Sequence, residues 1–462
     1  MGARDLLLEI GTEEIPSRFI PPTLSELAAI AEEELRSERL VFENTQTLGT
    51  PRRIVLITRS LEEKQQDKSD EFKGPAWASA FDPSGNPTKA ARGFAKSKGV
   101  DVDSLEKRDF GGQEFAVAVK REEGRPSSAI LPAVLEKVMK RLSFPKSMYW
   151  DRTFHRFARP VRWLLALYGD ELLKVDFGLV SSDRFTRGHR FMGVRKIEVS
   201  KVGEYLEKLY DNFVIADPQK RREKMLAGIA SIEKEMGGKA VLDADLVEEN
   251  LYLVEYPVPF YGSFDQTFLQ IPEEVLVTTM KNHQRYFPVR DGSGNLKPCF
   301  IGVSNNRAAN MSVVREGNER VLRARLSDAS FFWEEDQKVP LSARVDSLKK
   351  IVHHEKLGTV YEKVSQVREL CGALCRMMDL AAEETEMVDR AAFLAKADSV
   401  TDMVYEFPEL RGVMGREYAA RDGENPRVAL ALFEQYLPSS SGDRVPSDII
   451  GAILGICDRV VT

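Results

Sequence analysis

The sequence predicts a multidomain α+β protein in which a mixed α/β region precedes an all-α region. Through the first 315 residues, short apolar runs of strand length are interspersed with segments whose apolar residues recur at helical spacing. These segments lack the regular strand–helix alternation of a doubly wound fold, which favours the α+β class. From about residue 341 the pattern is nearly all helical, with a long apolar stripe over residues 360–378. The length of 462 residues fits roughly two to four domains.

The predicted domain boundaries follow this change in pattern. We predict a mixed α+β region over residues 1–315, an arginine-rich connecting helix over residues 316–340 and a helical domain over residues 341–462. Pro340 and a run of charged residues separate the connecting helix from the helical domain. The earlier boundary, near residue 315, is the alternative place for the main division of the chain.

The individual elements are predicted from apolar patterning and from the residues that start and stop helices. Apolar or alternating runs predict strands at residues 6–10, 53–58, 114–120 and 300–303. Helical spacing of apolar residues predicts helices at residues 23–35, 90–99, 128–142, 217–237, 360–378, 386–404, 427–437 and 446–461. Pro21 and Pro22 mark the entry to the first helix, and Gly99 ends the second.

Composition limits the classes of protein to which the chain can belong. The formal net charge of −6 does not indicate a nucleic-acid binder, so any contact with RNA depends on local basic patches. No apolar run approaches the roughly 20 residues of a membrane span, and the N-terminus lacks a signal-peptide pattern. The cysteines lack the spacing of a zinc site. We expect reduced thiols in a cytoplasmic protein that does not contact membranes.

The densest grouping of functional residue types lies within residues 275–336. Three basic residues there precede a pair of aromatic residues. Such a mixture is typical of RNA-binding surfaces, because cations bind phosphates and exposed bases stack on aromatic rings. The candidate RNA-binding residues of this group are Lys281, His283 and Arg285, and the aromatic pair is Tyr286 and Phe287.

A helix rich in arginine follows, and two interpretations of it stay open. Its arginines are candidate phosphate contacts, because guanidinium forks match phosphate oxygens. Alternatively they decorate a solvated helix in which glutamates pair with arginines one turn later. The arginines are Arg315, Arg320, Arg323 and Arg325. The predicted ion pairs are Glu316–Arg320 and Glu319–Arg323. The predicted apolar face of the helix consists of Leu322, Leu326, Ala329 and Trp333. Because the glutamates would cover part of this surface, Arg315 and Arg325 are expected to contribute most to RNA binding.

A second basic patch lies within residues 146–169, where arginines are interspersed with aromatic residues. It is interpreted either as an apolar strand or helix flanked by long basic side chains, or as another surface that contacts RNA or a partner subunit. A further basic group, residues 187–190, has a histidine without an identifiable catalytic partner, which favours a structural or RNA-facing role. The members of the second patch are Arg152, His155, Arg156, Arg159 and Arg162.

Several long motifs resemble those of one family. They are LLLEIGTEEIPSRF, TPRRIVLI, KSMYWD, FARPVRWLLALYGD, GHRF, LVEYPV, TTMKNHQRYFPVRD, VREGNERVLRARLSDASFFWEED, EKLGTVYEKV, KADSVTDMVYEFPELRGVMGREYA and PSDIIGAILGICDRV. In this order they resemble the beta subunit of the bacterial heterotetrameric glycyl-tRNA synthetase. The resemblance covers essentially the whole chain, and family members continue well beyond Thr462, so the chain is expected to be a partial one.

The resemblance implies an aminoacyl-tRNA synthetase subunit that binds tRNA(Gly) without carrying the adenylation site. Glycine activation, with its ATP and Mg, is expected on a separate alpha subunit in an alpha2–beta2 tetramer. This agrees with the residues, because the chain lacks a G-x-x-x-x-G-K-[ST] phosphate-binding loop. No catalytic residue and no cofactor are therefore assigned to this chain. The resemblance also implies a B3/B4-like module in the amino-terminal half and an HD-like helical domain after it.

The HD-like domain raises an alternative function, that of a metal-dependent phosphohydrolase. Where that family of sites has a His-Asp pair, this chain has Ala397 and Asp398, and Asp458 resembles the final aspartate. Two aspartates without their imidazole partners make a poor site for a divalent metal, so no metal site is predicted. A third possibility is a tRNA-binding scaffold that works without a ligase partner.

Overall fold

The first predicted strand lies inside a seven-stranded sheet in the computed structural model, which describes residues 2–82, 84–308 and 310–461. The chain divides into two units. The first unit comprises Met1–Met225 and Glu248–Pro257, and the second comprises Leu226–Val247 and Val258–Thr462.

Up to residue 236 the chain forms fourteen strands and six helices among its described residues. The strands are β1 (Ala3–Thr12), β2 (Asn44–Thr50), β3 (Arg53–Glu62), β4 (Lys68–Ala76), β5 (Glu106–Asp109), β6 (Glu114–Glu122), β7 (Met148–Tyr149), β8 (Arg156–Phe157), β9 (Val161–Tyr168), β10 (Glu171–Leu172), β11 (Asp176–Phe177), β12 (Val180–Asp183), β13 (Phe185–Thr186) and β14 (Ile197–Glu198). The helices are α1 (Ile20–Ser37), α2 (Trp77–Ala80), α3 (Lys89–Lys98), α4 (Ser127–Arg141), α5 (Tyr205–Asp211) and α6 (Pro218–Met236).

The main sheet of the first unit is built around β1, whose residues from Leu6 onward are all buried. The strand order is β11–β12–β9–β1–β3–β2, with β10 also paired to β9, and the β12–β9 pair is parallel. Leu8 pairs with Leu56 on one side and with Ala166 on the other, so apolar strands meet at the centre. Residues of α5 and the preceding turn cover one face, forming a core with Leu7, Val55 and Leu165.

A smaller three-stranded sheet, in the order β4–β6–β5, packs against α2 and α3. Its core consists mainly of alanines and Leu105. Helix α3 ends at Gly99, whose left-handed φ of 68° confirms the predicted C-cap. The second basic patch of the sequence follows, and its apolar part is a strand, β9, as one of the two interpretations predicted.

The remaining elements lie after residue 236. The strands are β15 (Lys239–Ala240), β16 (Val258–Ser263), β17 (Phe287–Arg290), β18 (Leu296–Ser304), β19 (Val352–His354) and β20 (Gly358–Thr359). The helices are α7 (Ala244–Leu251), α8 (Glu273–Thr278), α9 (Met311–Asp336), α10 (Leu341–Arg344), α11 (Val360–Met377), α12 (Ala382–Leu394), α13 (Asp402–Glu406), α14 (Val413–Arg421), α15 (Pro426–Glu434) and α16 (Ile449–Val460). None of the described helices is long and apolar enough to cross a membrane.

The second unit combines a four-stranded sheet with the helices that follow it. The sheet is antiparallel, in the order β15–β17–β18–β16. Helix α9 packs against β16 and against α13, and its side chains share one core with those of α11, α12, α14, α15 and α16. The mixed α+β character predicted from the sequence, with sheet first and helices later, is confirmed.

The predicted single helix over residues 386–404 is wrong. Helix α12 ends at Leu394, a 3-10 turn covers Ala397–Val400, and α13 begins at Asp402. Lys396 has a left-handed φ of 63°, which interrupts the helix. The interruption is held by the buried Asp398, whose carboxylate accepts the backbone N–H of Gly412 at 2.5 Å. A long-range contact therefore overrides the local helical pattern.

Candidate nucleic-acid interface

Two of the predicted basic residues before β17, Lys281 and His283, lie on a π-helical turn, Thr279–His283, and Arg285 follows it. The ammonium of Lys281 is 2.8 Å from a carboxylate oxygen of Asp243, and this hydrogen bond lowers the pKa of Asp243. His283 Nε2 lies 3.5 Å from Glu409 Oε1. Arg285 has a left-handed φ of 58° and donates to the carbonyl of Asn282 at 2.6 Å. All three side chains are half-buried, and each contacts a neighbouring residue of the second unit.

The aromatic pair beside them does not offer rings to nucleic-acid bases. Tyr286 and Phe287 are both buried. Tyr286 stacks on Phe300 with ring centroids 4.2 Å apart and donates its hydroxyl proton to Asn318 at 2.5 Å. Burial raises its pKa to about 12. The expectation that exposed bases stack here is therefore wrong, because Tyr286 belongs to the core under α9 and Phe287 is fully buried.

The apolar face of the arginine-rich helix is confirmed. Leu322, Leu326, Ala329 and Trp333 are all buried in α9. Arg320, Arg323 and Arg325 are exposed on this helix, whereas Arg315 is half-buried with its guanidinium 5.8 Å from the ring centre of Tyr261. Arg325 lies 3.7 Å from Glu406. We call the exposed arginines Arg320, Arg323 and Arg325 the arginine ridge.

The predicted Glu319–Arg323 pair is not formed. Glu319 Oε1 instead accepts the backbone N–H of Ser263 at 2.8 Å and its hydroxyl at 3.1 Å. Ser263 ends β16, so the glutamate fixes the helix to the sheet rather than neutralising an arginine. Glu316 likewise forms no ion pair with Arg320 within 4.0 Å in the part of the chain that the structure describes. Arg320 and Arg323 therefore form neither of the predicted ion pairs, although Arg323 helps to lower the pKa of Asp265 and Arg325 faces Glu406.

The two aspartates of the HD-like domain are engaged by other groups. Asp398 is buried, which raises its pKa, and it accepts the N–H of Gly412. Asp458 lies 3.0 Å from the ammonium of Lys363 and 2.9 Å from that of Lys396. Ammonium groups repel a divalent cation, so these residues do not fit a metal site. Among the described residues, no group of three or more His, Cys, Asp or Glu side chains could hold a metal ion.

A buried ionic network in the first unit was not predicted. Arg53 is completely buried and donates to Glu9 at 3.1 Å and to Glu255 at 3.0 Å. Burial alone would lower the pKa of Arg53, but the carboxylates of Glu255 and Glu9 outweigh it and raise that pKa. Trp163 and Thr186 add neutral donors to Glu9, at 3.0 and 2.9 Å. The network therefore joins β1, β3, β9 and β13.

A pocket of about 590 Å³ lies beside this network. Its lining includes three residues that belong to the network or contact it: Arg52, Trp163 and Thr186. Two carboxylates, those of Glu13 and Asp183, lie in the same pocket. Its cationic side chains are Arg52, Arg162, Arg187, Arg190, Arg195 and Lys196. These eight charged residues define what we call the basic pocket.

The cations of the basic pocket are crowded. Glu13 is shared by Arg162 at 3.3 Å and Arg190 at 2.8 Å. Arg187 lies over the ring of Trp163, 4.7 Å from its centre. Burial, and next the nearby charge of Arg162, lower the pKa of Arg187. The pocket therefore holds positive charge that its own carboxylates only partly compensate.

The other members of the second basic patch lie apart from the pocket lining. Arg156 is on β8 with its guanidinium 4.9 Å from the ring centre of Tyr149, and Phe154 beside it is 75% exposed. Arg159 donates to the carbonyl of Ala158 at 3.1 Å.

The histidine of the basic group at residues 187–190 has a structural role. His189 is buried, and its Nδ1 accepts the backbone N–H groups of residues 191 and 192 at 3.3 Å. It supports a turn at the edge of the pocket, in line with the structural role considered from the sequence.

A signal for the network was present in the sequence. Glu9 is a single charge inside an apolar strand run, a pattern that requires a buried partner, and Arg53 directly precedes the apolar run of residues 54–57. The pairing itself was not readable, because Arg53 and Glu255 are 202 positions apart. Four of the motifs that carry the family resemblance meet here: LLLEIGTEE, TPRR, GHRF and LVEYP.

A multidomain α+β chain with exposed arginines on a helix and a cation-lined pocket has the features of a nucleic-acid-binding protein. Comparison with known proteins is more specific. The family model described as glycyl-tRNA synthetase beta subunit matches residues 6–462, and the chain belongs to this family.

Relatives named glycine–tRNA ligase beta subunit match throughout the chain. The protein of Moorella thermoacetica is 45% identical over 460 residues, and that of Syntrophotalea carbinolica is 46% identical over 456 residues. The protein of Geobacter sulfurreducens is 45% identical over 460 residues. These alignments cover 99 to 100% of this chain but only 66 to 67% of the relatives.

Proposed function

We propose that this chain is the tRNA-binding, non-catalytic part of the beta subunit of a glycine–tRNA ligase, an aminoacyl-tRNA synthetase of protein biosynthesis. The match to the family over residues 6–462 carries this proposal. Its role would be to hold tRNA(Gly) while an alpha subunit attaches glycine in an ATP-dependent reaction. The expected assembly is an alpha2–beta2 heterotetramer in the cytoplasm.

The division of labour rests on what the sequence offers for nucleotide chemistry. The chain has no G-x-x-x-x-G-K-[ST] loop and no recognisable class II synthetase motif with its paired arginines. ATP and Mg are therefore assigned to the alpha subunit, and no catalytic residue is assigned here. This chain would contribute positive charge at fixed positions, which binds the phosphates of tRNA.

The tRNA contacts that we propose lie in the second unit. The arginine ridge has a buried apolar face opposite its cations, so the guanidinium groups point away from the core. We also propose Arg315, which precedes the arginine ridge on α9, as a contact to tRNA. Lys281, His283 and Arg285 are proposed as weaker contacts, because Asp243 and Glu409 already compensate the first two.

The finer fold assignments are also proposals. We assign a B3/B4-like module to the mixed region of residues 1–315, a connecting helix to residues 316–340 and an HD-like domain to residues 341–462. The lysines that hold Asp458 favour a scaffold over a phosphohydrolase. Elemental analysis of protein purified without chelator tests this, and stoichiometric Mn or Fe that is lost in Asp398→Ala would favour the hydrolase.

Reconstitution tests the main proposal. The beta subunit that contains this chain is coexpressed with the alpha subunit encoded in the same genome, and only one of the two carries an affinity tag. We expect the partners to copurify and to charge tRNA(Gly) with glycine only when both are present. Failure to copurify, with tRNA binding intact, would favour the scaffold without a ligase partner.

A further inference from the structure

We propose that the basic pocket binds one nucleotide of an unpaired RNA strand, with its phosphate held by Arg162, Arg187 and Arg195. This inference rests on the proposed function, because it assigns part of the tRNA to a site in the first unit. The arginine ridge is a separate surface, in the second unit.

The positive charge that lines the pocket favours an anionic ligand. Six cationic and two acidic side chains line the pocket, and Glu13 already serves two of the arginines. Glu255 pairs with Arg52 at 3.4 Å and Glu14 with Arg190 at 3.7 Å, so the cations still outnumber the carboxylates. Arg195 is exposed and has no ion-pair partner in the part of the chain that the structure describes. Arg187 lies beside Arg162, and the repulsion between them is relieved when a phosphate sits between their guanidinium groups.

The size of the pocket favours a single nucleotide over a duplex. Its volume of about 590 Å³ is in the range of small-molecule sites, about 300–1,000 Å³. A nucleotide of an unpaired strand can be turned into a concave site of this size. The bases of a helix stay stacked, and a helix presents its phosphates on a convex surface.

The two carboxylates favour a nucleotide over a bare anion. Glu13 and Asp183 can accept hydrogen bonds from ribose hydroxyls or from an exocyclic amine of a base. The same carboxylates repel a small, multiply charged ion such as inorganic phosphate. A phosphodiester with one negative charge and an attached sugar matches both kinds of side chain.

The floor of the pocket is held in place before any ligand arrives. Arg53 fixes Glu9 and Glu255, and Glu9 in turn fixes Trp163 and Thr186. At Gly11 a Cβ atom would lie 1.9 Å from the ring of Trp163, so the close approach of β1 to that ring requires glycine. Rigid elements with satisfied buried partners make a precise binding site.

The experiment measures binding of a short fluorescent single-stranded RNA by anisotropy at several salt concentrations. In Arg187→Ala we expect affinity to fall about tenfold. The slope of log K against log salt should fall by about 0.7, the contribution of one phosphate contact on a single strand. Arg195→Ala, at an exposed position, provides a second variant that leaves the core untouched. Arg121→Ala, an exposed arginine on β6, is the matched control and should bind like the unaltered protein.

Competition identifies the ligand. The same RNA annealed to its complement, AMP and inorganic phosphate are each added to the bound complex, and we expect all three to compete poorly. If AMP competes as well as the strand, the pocket takes a free nucleotide and the assignment to RNA is overturned. Unchanged affinity for the strand in both Arg187→Ala and Arg195→Ala overturns it as well. So does a loss in Arg187→Ala that is as large for the duplex as for the single strand, since the arginine ridge also offers cations to a duplex.

Intact tRNA(Gly) distinguishes failure of this inference from failure of the proposed function. If the protein binds tRNA but not the short strand, the pocket assignment fails while the proposed function stands. If it binds neither, the proposed function fails too.

Discussion

Arg53 contacts both Glu9 and Glu255, and all three side chains are at most 1% exposed. A buried ion pair adds little net stability compared with a well-packed apolar core, because desolvation of the charges is costly. Removing one partner is different, since it leaves the other charge buried without compensation. Arg53 therefore maintains the strand packing beneath the basic pocket.

Replacing Arg53 by methionine should lower the free energy of unfolding of the first unit by roughly 3–5 kcal/mol. Glu9 would keep neutral donors such as Trp163 and Thr186 but lose its cation, and Glu255 would keep Arg52 at 3.4 Å and Thr50. Urea unfolding followed by circular dichroism measures the effect. Arg121→Met, at an exposed position, should change the free energy by less than about 0.5 kcal/mol. Equal midpoints for the two variants would contradict the prediction.

The Asp243–Lys281 pair should make stability depend on pH. The hydrogen bond from Lys281 lowers the pKa of Asp243 below its ordinary value of 3.8. A carboxyl group whose folded-state pKa is lowered stabilises the protein above its unfolded pKa, about 3.9, and loses that contribution as pH falls through the folded-state pKa. Asp243→Asn keeps an acceptor for the N–H of Leu246 but removes the charge and the carboxylate oxygen that accepts from Lys281.

We therefore expect Asp243→Asn to lower the thermal unfolding midpoint near neutral pH. The difference from the unaltered protein should shrink as the pH falls below about 4. Melting curves of both proteins over a series of acidic buffers measure this. A difference that stays constant at every pH would mean that Lys281 does not recognise the charge of Asp243.

At this scale, sequence patterns identify which residue types matter but not their partners. The exposed arginines of α9 follow from the helical spacing of Leu322 and Leu326, because the apolar face determines the solvent face. The hydrogen bond from the backbone N–H of Ser263 to Glu319 does not follow from helical spacing. It forms because β16 ends next to the helix, at a residue 56 positions earlier in the chain.

Helix α9 is the element that joins sheet and helices within the second unit. Its apolar side chains belong to a core that extends from Phe260 to Cys457. The interpretation as a merely solvated helix assumed two glutamate–arginine pairs, of which one is replaced by a bond to Ser263 and the other is absent among the described residues. Arg320 and Arg323, rather than Arg315 and Arg325, should therefore contribute most to RNA binding.

Replacing Arg323 by alanine should weaken tRNA(Gly) binding severalfold and reduce the slope of log K against log salt by about 0.9. The reason is the loss of one exposed cation from the arginine ridge. Filter binding over a range of salt concentrations measures both quantities, and a thermal melt checks the fold. Arg121→Ala is the control. Unchanged affinity and slope in both Arg320→Ala and Arg323→Ala would show that the ridge does not contact phosphates.

The helices of the second unit show how far local patterns can predict an element. The stripe over residues 360–378 is one helix, α11, because a Thr359–Glu362 capping box starts it and no distant contact interrupts it. The pattern over residues 386–404 looks equally helical, yet the helix is interrupted there, and the carboxylate of Asp398 accepts a hydrogen bond from the backbone N–H of Gly412. Helical periodicity is a local property, whereas a buried carboxylate takes whichever donors the folded chain brings to it.

For the molecule as a whole, the net charge of −6 opposes binding to RNA. Attraction must come from concentrated patches, and each unit has one: the basic pocket in the first and the arginine ridge in the second. The order of mixed and helical regions was predictable, because element type follows from periodicity. The basic pocket was not, because its charged residues are distributed from Glu13 to Lys196.

A protein with binding patches but without a nucleotide-binding loop should not activate an amino acid on its own. We expect the purified chain, free of the alpha subunit, to give no glycine-dependent exchange of pyrophosphate into ATP, because its sequence has neither a G-x-x-x-x-G-K-[ST] loop nor a recognisable class II motif with paired arginines. The same preparation should bind tRNA(Gly), which shows that it is folded and separates an absent active site from an inactive sample. Exchange should appear when the alpha subunit is added. Exchange by the chain alone, after mass spectrometry has excluded a contaminating synthetase, would place an adenylation site on this chain and contradict the proposed division between the subunits.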